Sequence, residues 1–284
     1  MGKPLIKSGE FNAGADLVCG ENVVVNVADE MVIGDRVVLP NNAYFEGRRV
    51  TIGDDFYGYS WGHPYWGSAS ETPAHVAPVG SWLEVGRGRI DEEDAILTVG
   101  SRCTFHDNRI DLARAVTVGD DVGLSPEVVI YTHGYWLSVL DGFPCSYRTV
   151  QIGSGVIAGF RSVFLPGTAV NAECVIGAQS VVAGELTERA AVYAGNPARF
   201  VRRVEKLPPE RWQFLLDTFM NKYARSCEYR GWRSFYRLEY PQVHIGGCTI
   251  DCEARTLIGG EDEYTDDLRW FLFTQGIRVY TKRP

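Results

Sequence analysis

The chain is poor in several features that would have named a function class. It has 284 residues, yet no apolar run approaches the length of a membrane span. Met1 to Phe11 lacks a basic-then-apolar leader, so a cytoplasmic location is expected. Basic residues are outnumbered: 28 Lys and Arg against 36 Asp and Glu give a net charge of -8 and a pI near 5.2. That balance argues against a general nucleic-acid or anionic-membrane surface. The seven cysteines are odd in number and scattered, which excludes a secreted disulfide framework. Gly86-Arg87-Gly88-Arg89 lacks the spacing of a phosphate-cradling loop.

What the chain has instead is a period. From Ile152 the sequence repeats in sixes: Ile152-Gly153, Ala158-Gly159, Phe164-Leu165, Val170-Asn171, Ile176-Gly177, Val182-Ala183. The first slot is always apolar. The fifth slot holds Val156, Ser162, Thr168, Cys174, Ser180 and Leu186, small in all but the first and last. A period of six fits neither an amphipathic helix nor a two-residue strand alternation. It is the hexapeptide signature of a β-helix, in which each six gives a short strand and a bend, with the first-slot side chain pointing into a narrow prism. Glycine in the second slot suits a bend that a side chain would crowd. An all-β coil with 45% hydrophobic content has ample material for a core.

The period also runs earlier, at Ile33-Gly34-Asp35, Leu39 and Phe45, with Val37 and Ala43 in fifth slots. It recurs at Ile52-Gly53, at Val99-Gly100, Phe105 and Asp111, and, after a slip of one, at Val118-Gly119, Leu124 and Ile130. Two insertions interrupt it. Residues 57–93 carry Tyr57, Tyr59, Trp61, Tyr65, Trp66 and Trp82 with His63 and His75; these rings read as packed on themselves or a neighbouring subunit in preference to an acceptor platform. The second insertion spans 134–149, directly after His133. Residues before Leu17 read as a cap on the first coil.

Composition changes near Glu205, giving a predicted β-helix domain over 1–204 and a small α+β appendage over 205–284. In the appendage, Pro208-Pro209-Glu210 opens a helix whose stripe is Trp212, Leu215, Leu216, Phe219, Met220 and Tyr223. Val243–Ile250 and Arg255–Ile258 read as a strand pair, Asp266–Thr274 as a helix and Ile277–Tyr280 as a last strand.

His133 is the candidate for chemistry. It ends a regular rung at a corner, beside an inserted loop, and a neutral imidazole there can take a proton from a hydroxyl or amine at neutral pH.

The run Val118-Gly119-Asp120-Asp121-Val122, Ser125-Pro126, Ile130-Tyr131-Thr132-His133 resembles the hexapeptide acetyltransferases of the galactoside, maltose and surface-polysaccharide type. So do Ile152-Gly153 through Ala158-Gly159, Leu165-Pro166-Gly167, Val175-Ile176-Gly177-Ala178, Ser180-Val181-Val182 and the closing Ala194-Gly195-Asn196-Pro197-Ala198-Arg199. The resemblance covers roughly Ile33 to Val204 and is tightest from Val116 to Arg203. It implies a left-handed parallel β-helix with three hexads per coil, a homotrimer, and acetyl-CoA in the groove between two subunits, with no metal. It implies His133 as the base for direct attack on the thioester. Ala158 and Gly159 are implied for amide contacts to the thioester arm, and Asn196, Pro197 and Arg199 for the nucleotide end. Arg199, Arg202 and Arg203 are then candidate phosphate partners, with a solvated basic tail as the alternative for Arg202 and Arg203. For the acceptor, His106, Asp107 and Asn108 fall on the coil before His133, and Trp136 and Asp141 lie in the loop after it. No acid follows His133 directly; Asp141 is the candidate to orient its ring. Val156 stands where the family usually carries an aromatic residue.

The rivals are weaker. A zinc hydrase of this architecture needs a second histidine five residues on, where Ser138 follows His133 and Asp111 follows His106. His244, Cys248 and Cys252 lack paired Cys-x-x-Cys spacing and read as strand residues. Cys145 has no nearby base in sequence. A non-catalytic scaffold would explain the hexads without needing His133. Among acetyltransferases, the acceptor is expected to be sugar-containing, with an antibiotic as the alternative.

Overall fold

A first-slot residue in one hexad lies beside the first-slot residue three hexads on. Val163-Phe164 is in register with Val181-Val182, and Ile157-Ala158 with Val175-Ile176, in parallel. The protein is described by a computed structural model over residues 3–58, 83–86, 92–233, 235–260 and 262–281. The aromatic insertion from Tyr59 to Trp82 lies outside the described residues, as does Arg87–Asp91.

The chain divides into two compact units, one ending at Glu205 and the other beginning at Lys206. The first is a parallel β-helix, its strands stacked in three columns that curl round one apolar core. One column runs through Val18–Cys19, Val38–Leu39, Tyr57–Gly58, Thr104–Phe105, Gly123–Leu124, Ile157–Ala158, Val175–Ile176 and Ala191–Ala194. Strands Val24–Ile33 and Tyr44–Ile52 each turn a corner and so belong to both other columns. The second column then passes through Leu83–Gly86, Asn108–Asp111, Val129–Ile130 and Val163–Phe164. The third passes through Ile96–Val99, Val116–Val118 and Val150–Ile152. Arg199–Arg203 ends the first column with an antiparallel strand against Ala191–Ala194.

First-slot side chains from Ile152 to Val182 are at most 4% exposed, because in a prism this narrow each must fill its own layer. The fifth slot is small because its side chain also lies inside. Two of its polar members bond backbone, Thr168 Oγ1 donating to Val182 O at 3.0 Å and Ser180 Oγ accepting from Gly195 N at 3.0 Å, whereas the buried Ser162 hydroxyl has no such partner. Leu186 is a correction. It is in register with Val170, so it is a first-slot residue reached by a shortened turn, which is why it is large.

The second-slot glycine is required for a reason of packing. At one corner the third-slot Asp or Ser of each coil accepts a hydrogen bond from a backbone N–H of the coil before: Asp54 Oδ1 from Asp35 N, Asp120 Oδ1 from Ser101 N, Ser154 Oγ from Asp120 N. That oxygen occupies the space a Cβ on the preceding glycine would need. The left-handed residue of the bend is the fourth slot instead, as at Arg36, Asp55, Arg102, Asp121, Glu127 and Arg161. These residues pair between coils: Arg36 with Asp55 at 2.6 Å, Arg102 with Asp121 at 3.0 Å, Arg161 with Glu127 at 2.6 Å.

The second unit packs two helices on a five-stranded sheet. Helix α1, Pro209–Tyr229, starts after Pro208, and its buried face is Leu216, Met220, Tyr223 and Cys227. The stretch predicted as one strand from Val243 is two, Gln242–Ile245 and Cys248–Asp251, because Gly246 takes a positive φ and turns the chain. Tyr236–Glu239 and Thr256–Ile258 complete the antiparallel run, and Tyr280–Thr281 adds a parallel fifth strand. Helix α2, Glu263–Thr274, is capped by Asp262, whose carboxylate accepts from Thr265 N at 2.8 Å. Cys248 and Cys252 are core residues, whereas His244 bonds Thr249 on the opposite sheet face, so the three do not converge. Among the described residues, no helix is long and apolar enough to cross a membrane.

Candidate functional site

His133 leaves the prism at the corner after Val129–Ile130. The inserted loop comes back as a two-stranded antiparallel hairpin, His133–Gly134 against Ser146–Tyr147. The imidazole is held on one edge by an acid from the previous coil: Nδ1 is 2.6 Å from Asp111 Oδ2. That same oxygen accepts from Thr132 N at 2.9 Å, Thr132 Oγ1 at 2.8 Å and His133 N at 3.1 Å. An oxygen surrounded by donors acts as acceptor, so Nδ1 carries a proton, and the lone pair of the neutral ring falls on Nε2. Asp111 is 2% exposed, and its strand, Asn108–Asp111, sits in register beside both Leu83–Gly86 and Val129–Ile130. Its position is therefore set by the coil on either side.

The imidazole belongs to a triangle of three rings. Tyr147 stacks on it at 5.5 Å between centroids and 18° between planes, and Tyr135 lies at 5.8 Å. Tyr135 and Tyr147 also stack on each other. Arg114 lies over the Tyr147 ring at 4.9 Å and is ion-paired to Glu92. Desolvation, then the Tyr135 hydroxyl, holds the Tyr147 phenol above its usual range, so it stays a hydrogen-bond donor. The arrangement is an oriented imidazole beside two tyrosine rings, with 28% of its side chain accessible.

Several sequence expectations are corrected here. Asp141 does not orient the ring; it is exposed at the end of a short helical turn, Val139–Asp141. The orienting residue is Asp111. The rung is offset by one from the sequence reading, so Ile110 fills the first slot and Asp111 the second. Trp136 is 91% exposed, and the rings against His133 are Tyr135 and Tyr147. Asn108 faces inward, fully buried, with Nδ2 donating to Ser125 O at 2.8 Å, so it is not placed to touch an acceptor. His106 and Asp107 precede strand Asn108–Asp111, at the far end from Asp111 and His133. One chain therefore does not bring these two groups together. His106 is half-buried, and desolvation lowers its imidazole to about 4.

On the cofactor side, Ala158 is buried in its rung and Gly159 N donates to Ile176 O at 2.8 Å. The Gly159 amide is thus already engaged; a Cβ there would stand 2.6 Å from Ala178 N. Asn196 and Pro197 are exposed, joined by a cis peptide, just before the closing strand. Arg199 and Arg202 are exposed on that strand, and their guanidiniums bond only backbone carbonyls among the hydrogen bonds of the described residues. Such cations fit phosphate oxygens. Arg203 instead pairs with Glu188 at 2.6 Å.

No family model matches the chain. A Saccharomyces cerevisiae protein with a provisional acetyltransferase assignment is 36% identical over 92 residues, 31% of this chain and 46% of that protein. The chain thus spans about half the length of the curated relative it matches. Among solved structures, the polysialic acid O-acetyltransferase OatWY is 16% identical with a TM-score of 0.52, covering 72% of this chain and 92% of that one, and establishes the shared fold. A galactoside acetyltransferase in complex with coenzyme A is 26% identical with a TM-score of 0.34, over 38% of this chain and 56% of its own. The resemblance to hexapeptide-repeat acetyltransferases read from the sequence is therefore met again in the proteins this chain is similar to.

Proposed function

We propose that the chain is a CoA-dependent acyltransferase that acetylates a hydroxyl or amine of a sugar-containing acceptor. The observation that carries this reading is the His133–Asp111 pair at a corner of a parallel β-helix. Nε2 of His133 takes the acceptor proton as the acceptor oxygen or nitrogen attacks the thioester carbonyl. Asp111 holds the tautomer and stabilises the imidazolium that forms. The imidazolium then returns its proton to the departing thiolate, so the base is regenerated. Tyr147, stacked on the imidazole and backed by Tyr135, shields one side of the ring from water.

In this reading the coil is left-handed, as in the family, and three copies assemble with acetyl-CoA between neighbours. Arg199 and Arg202 take phosphates of CoA, with Asn196 and Pro197 shaping that end. Ala158 and Gly159 line the thioester arm through backbone whose amide at Gly159 is shared with Ile176. A partner copy would bring His106 and Asp107 of one chain toward His133 of another. The second unit serves acceptor recognition or assembly; deleting residues after Val204 then changes acceptor preference or trimer mass, and an unchanged pair of values overturns that role.

The test is a CoA-release screen over nucleotide sugars, simple glycosides and aminoglycosides, run beside His133→Ala. Thiol release by the native chain with a sugar acceptor, lost in the variant, is the expected result. Equal release by both with every acceptor removes His133 from the chemistry, and release with aminoglycosides alone moves the acceptor to the antibiotic class.

A further inference from the structure

The outward side of the strand that carries Asp111 also carries Arg109, and Arg109 belongs to a row that climbs toward the N-terminal coils. Arg109 is in register with Glu84, and Glu84 with Tyr44, one coil apart at each step. Together with Asn42 these side chains line a shallow cavity of about 400 Å3. Arg109 Nε donates to Glu84 Oε2 at 2.9 Å. The Asn42 amide oxygen accepts from Asn22 at 3.1 Å, which fixes the plane of that side chain.

The chemistry of the row is specific. A half-buried tyrosine ring gives an aromatic surface, and Asn, Glu and Arg give planar donors and acceptors fixed by neighbours on adjacent coils. Planar groups of this kind match the adjacent hydroxyls of a pyranose, while the ring takes its C–H face. The charge is also informative. The guanidinium is offset by Glu84, and Glu46 adds a second acid acting on Tyr44. Burial first, then Glu46, holds the Tyr44 phenol above its usual value and hence protonated as a donor. A cavity with this balance repels an anionic ligand and accepts a neutral, hydroxyl-rich one.

Its place in the fold ties it to the proposed chemistry. Arg109 is two residues before Asp111 on one strand, about 7 Å along the rung, and Tyr44 is two coils away, roughly 10 Å across the strands. A short saccharide chain spans that distance. We propose that the Asn42–Tyr44–Glu84–Arg109 row is an accessory acceptor subsite that holds a further residue of a neutral oligosaccharide while another residue of the same chain meets His133. The inference rests on the acyltransferase reading for the end at His133, and on the row itself for the binding.

The experiment separates the two. The full-length His133→Ala protein, which cannot turn over in the proposed mechanism, is applied to an array of neutral and acidic oligosaccharides, beside the same protein carrying Arg109→Ala or Tyr44→Ala. Arg109→Lys and Tyr44→Phe, which keep the rung, control for folding by circular dichroism. Binding of neutral oligosaccharides, weakened about tenfold or more by Arg109→Ala as expected for lost hydrogen bonds to a charged group, supports the subsite. Absence of neutral-glycan binding, binding of acidic glycans alone, or binding indifferent to both substitutions overturns it. In the otherwise native enzyme, thiol release is then compared between the best oligosaccharide and its monosaccharide. The ratio of the two kcat/KM values is expected to fall about tenfold in Arg109→Ala. Array binding that depends on the row, with no thiol release for any glycan, keeps the subsite and removes the acyltransferase reading; a kcat/KM ratio unmoved by Arg109→Ala removes the subsite and keeps that reading.

Discussion

Gly100 and Asp120 face each other across adjacent coils: a Cβ built on the glycine would stand 2.4 Å from Asp120 Oδ1 and 2.7 Å from Asp120 N. That oxygen is not spare, since it accepts from Ser101 N at 2.8 Å. Gly100→Ala must push two coils apart or break this bond. We expect a loss of about 1–3 kcal/mol, the usual cost of overpacking. Gly123 has nothing within 4 Å of its notional Cβ, so Gly123→Ala is the matched control. Urea unfolding of the two variants reads the difference; equal midpoints would show that the corner has slack to give.

Asp111 should be separable from the rest of the rung by two substitutions. Asp111→Asn keeps the volume and an acceptor for Thr132 N and His133 N, and removes the carboxylate from Nδ1. A fall in kcat of about a hundredfold or more is expected, with acetyl-CoA binding little changed. Asp111→Ala additionally orphans buried donors and should cost about 1–3 kcal/mol of stability. A pH–rate profile that does not move in Asp111→Asn would reduce Asp111 to a structural acid.

His106 gives a pH dependence with a defined sign. Desolvation lowers its imidazole from 6.5 to about 4 in the folded chain, so between those values the unfolded chain binds more protons. Its contribution to stability is complete above pH 6.5, declines as the pH falls, and is exhausted near pH 4. His106→Gln should flatten that part of the stability curve when unfolding is measured at intervals from pH 7 to 4. An unaltered slope would place the titration elsewhere.

The second unit depends on a buried ion pair. Arg230 and Asp267 meet at 2.6 and 2.8 Å with side chains only 11% and 7% exposed, beneath Tyr223 and Trp232. Asp267→Ala leaves a buried guanidinium without its partner and should destabilise this unit by about 3–5 kcal/mol. Calorimetry should show the loss in one transition. Replacing both residues together, Arg230→Met with Asp267→Leu, is expected to recover most of it, since the pair's own net worth is small once desolvation is counted.

The prism was legible because each rung repeats one physical demand, an apolar first slot and a small fifth slot. That periodicity located the corner at His133 without any knowledge of its surroundings. The partner of the imidazole was harder, because pairing between coils is a relation across 22 positions with no local signature. A trace of it was present: Asp111 stood where the repeat calls for an apolar residue, and an acid in a buried row needs donors around it. A step of five from Phe105, in place of six, puts Ile110 in the core and turns Asp111 toward the corner. The stacked Tyr135 and Tyr147 were invisible for another reason, since a hairpin inside an insertion obeys no hexad register. In the second unit the turn inside Val243–Ile250 had a sequence signal, the Gly246-Gly247 pair between two strand-like runs, and the positive φ of Gly246 is its structural counterpart.

The fourth-slot residues alternate in sign up one edge, Arg36, Asp55, Arg102 and Asp121. An alternating series has parity. Excising the turn that bears Arg102 would set Asp55 beneath Asp121, carboxylate on carboxylate, whereas excising two neighbouring turns would restore opposite signs. This part of the solenoid can therefore lengthen or shorten smoothly only in pairs, so its growth carries a counting rule that the apolar interior, indifferent to which layer follows which, does not impose.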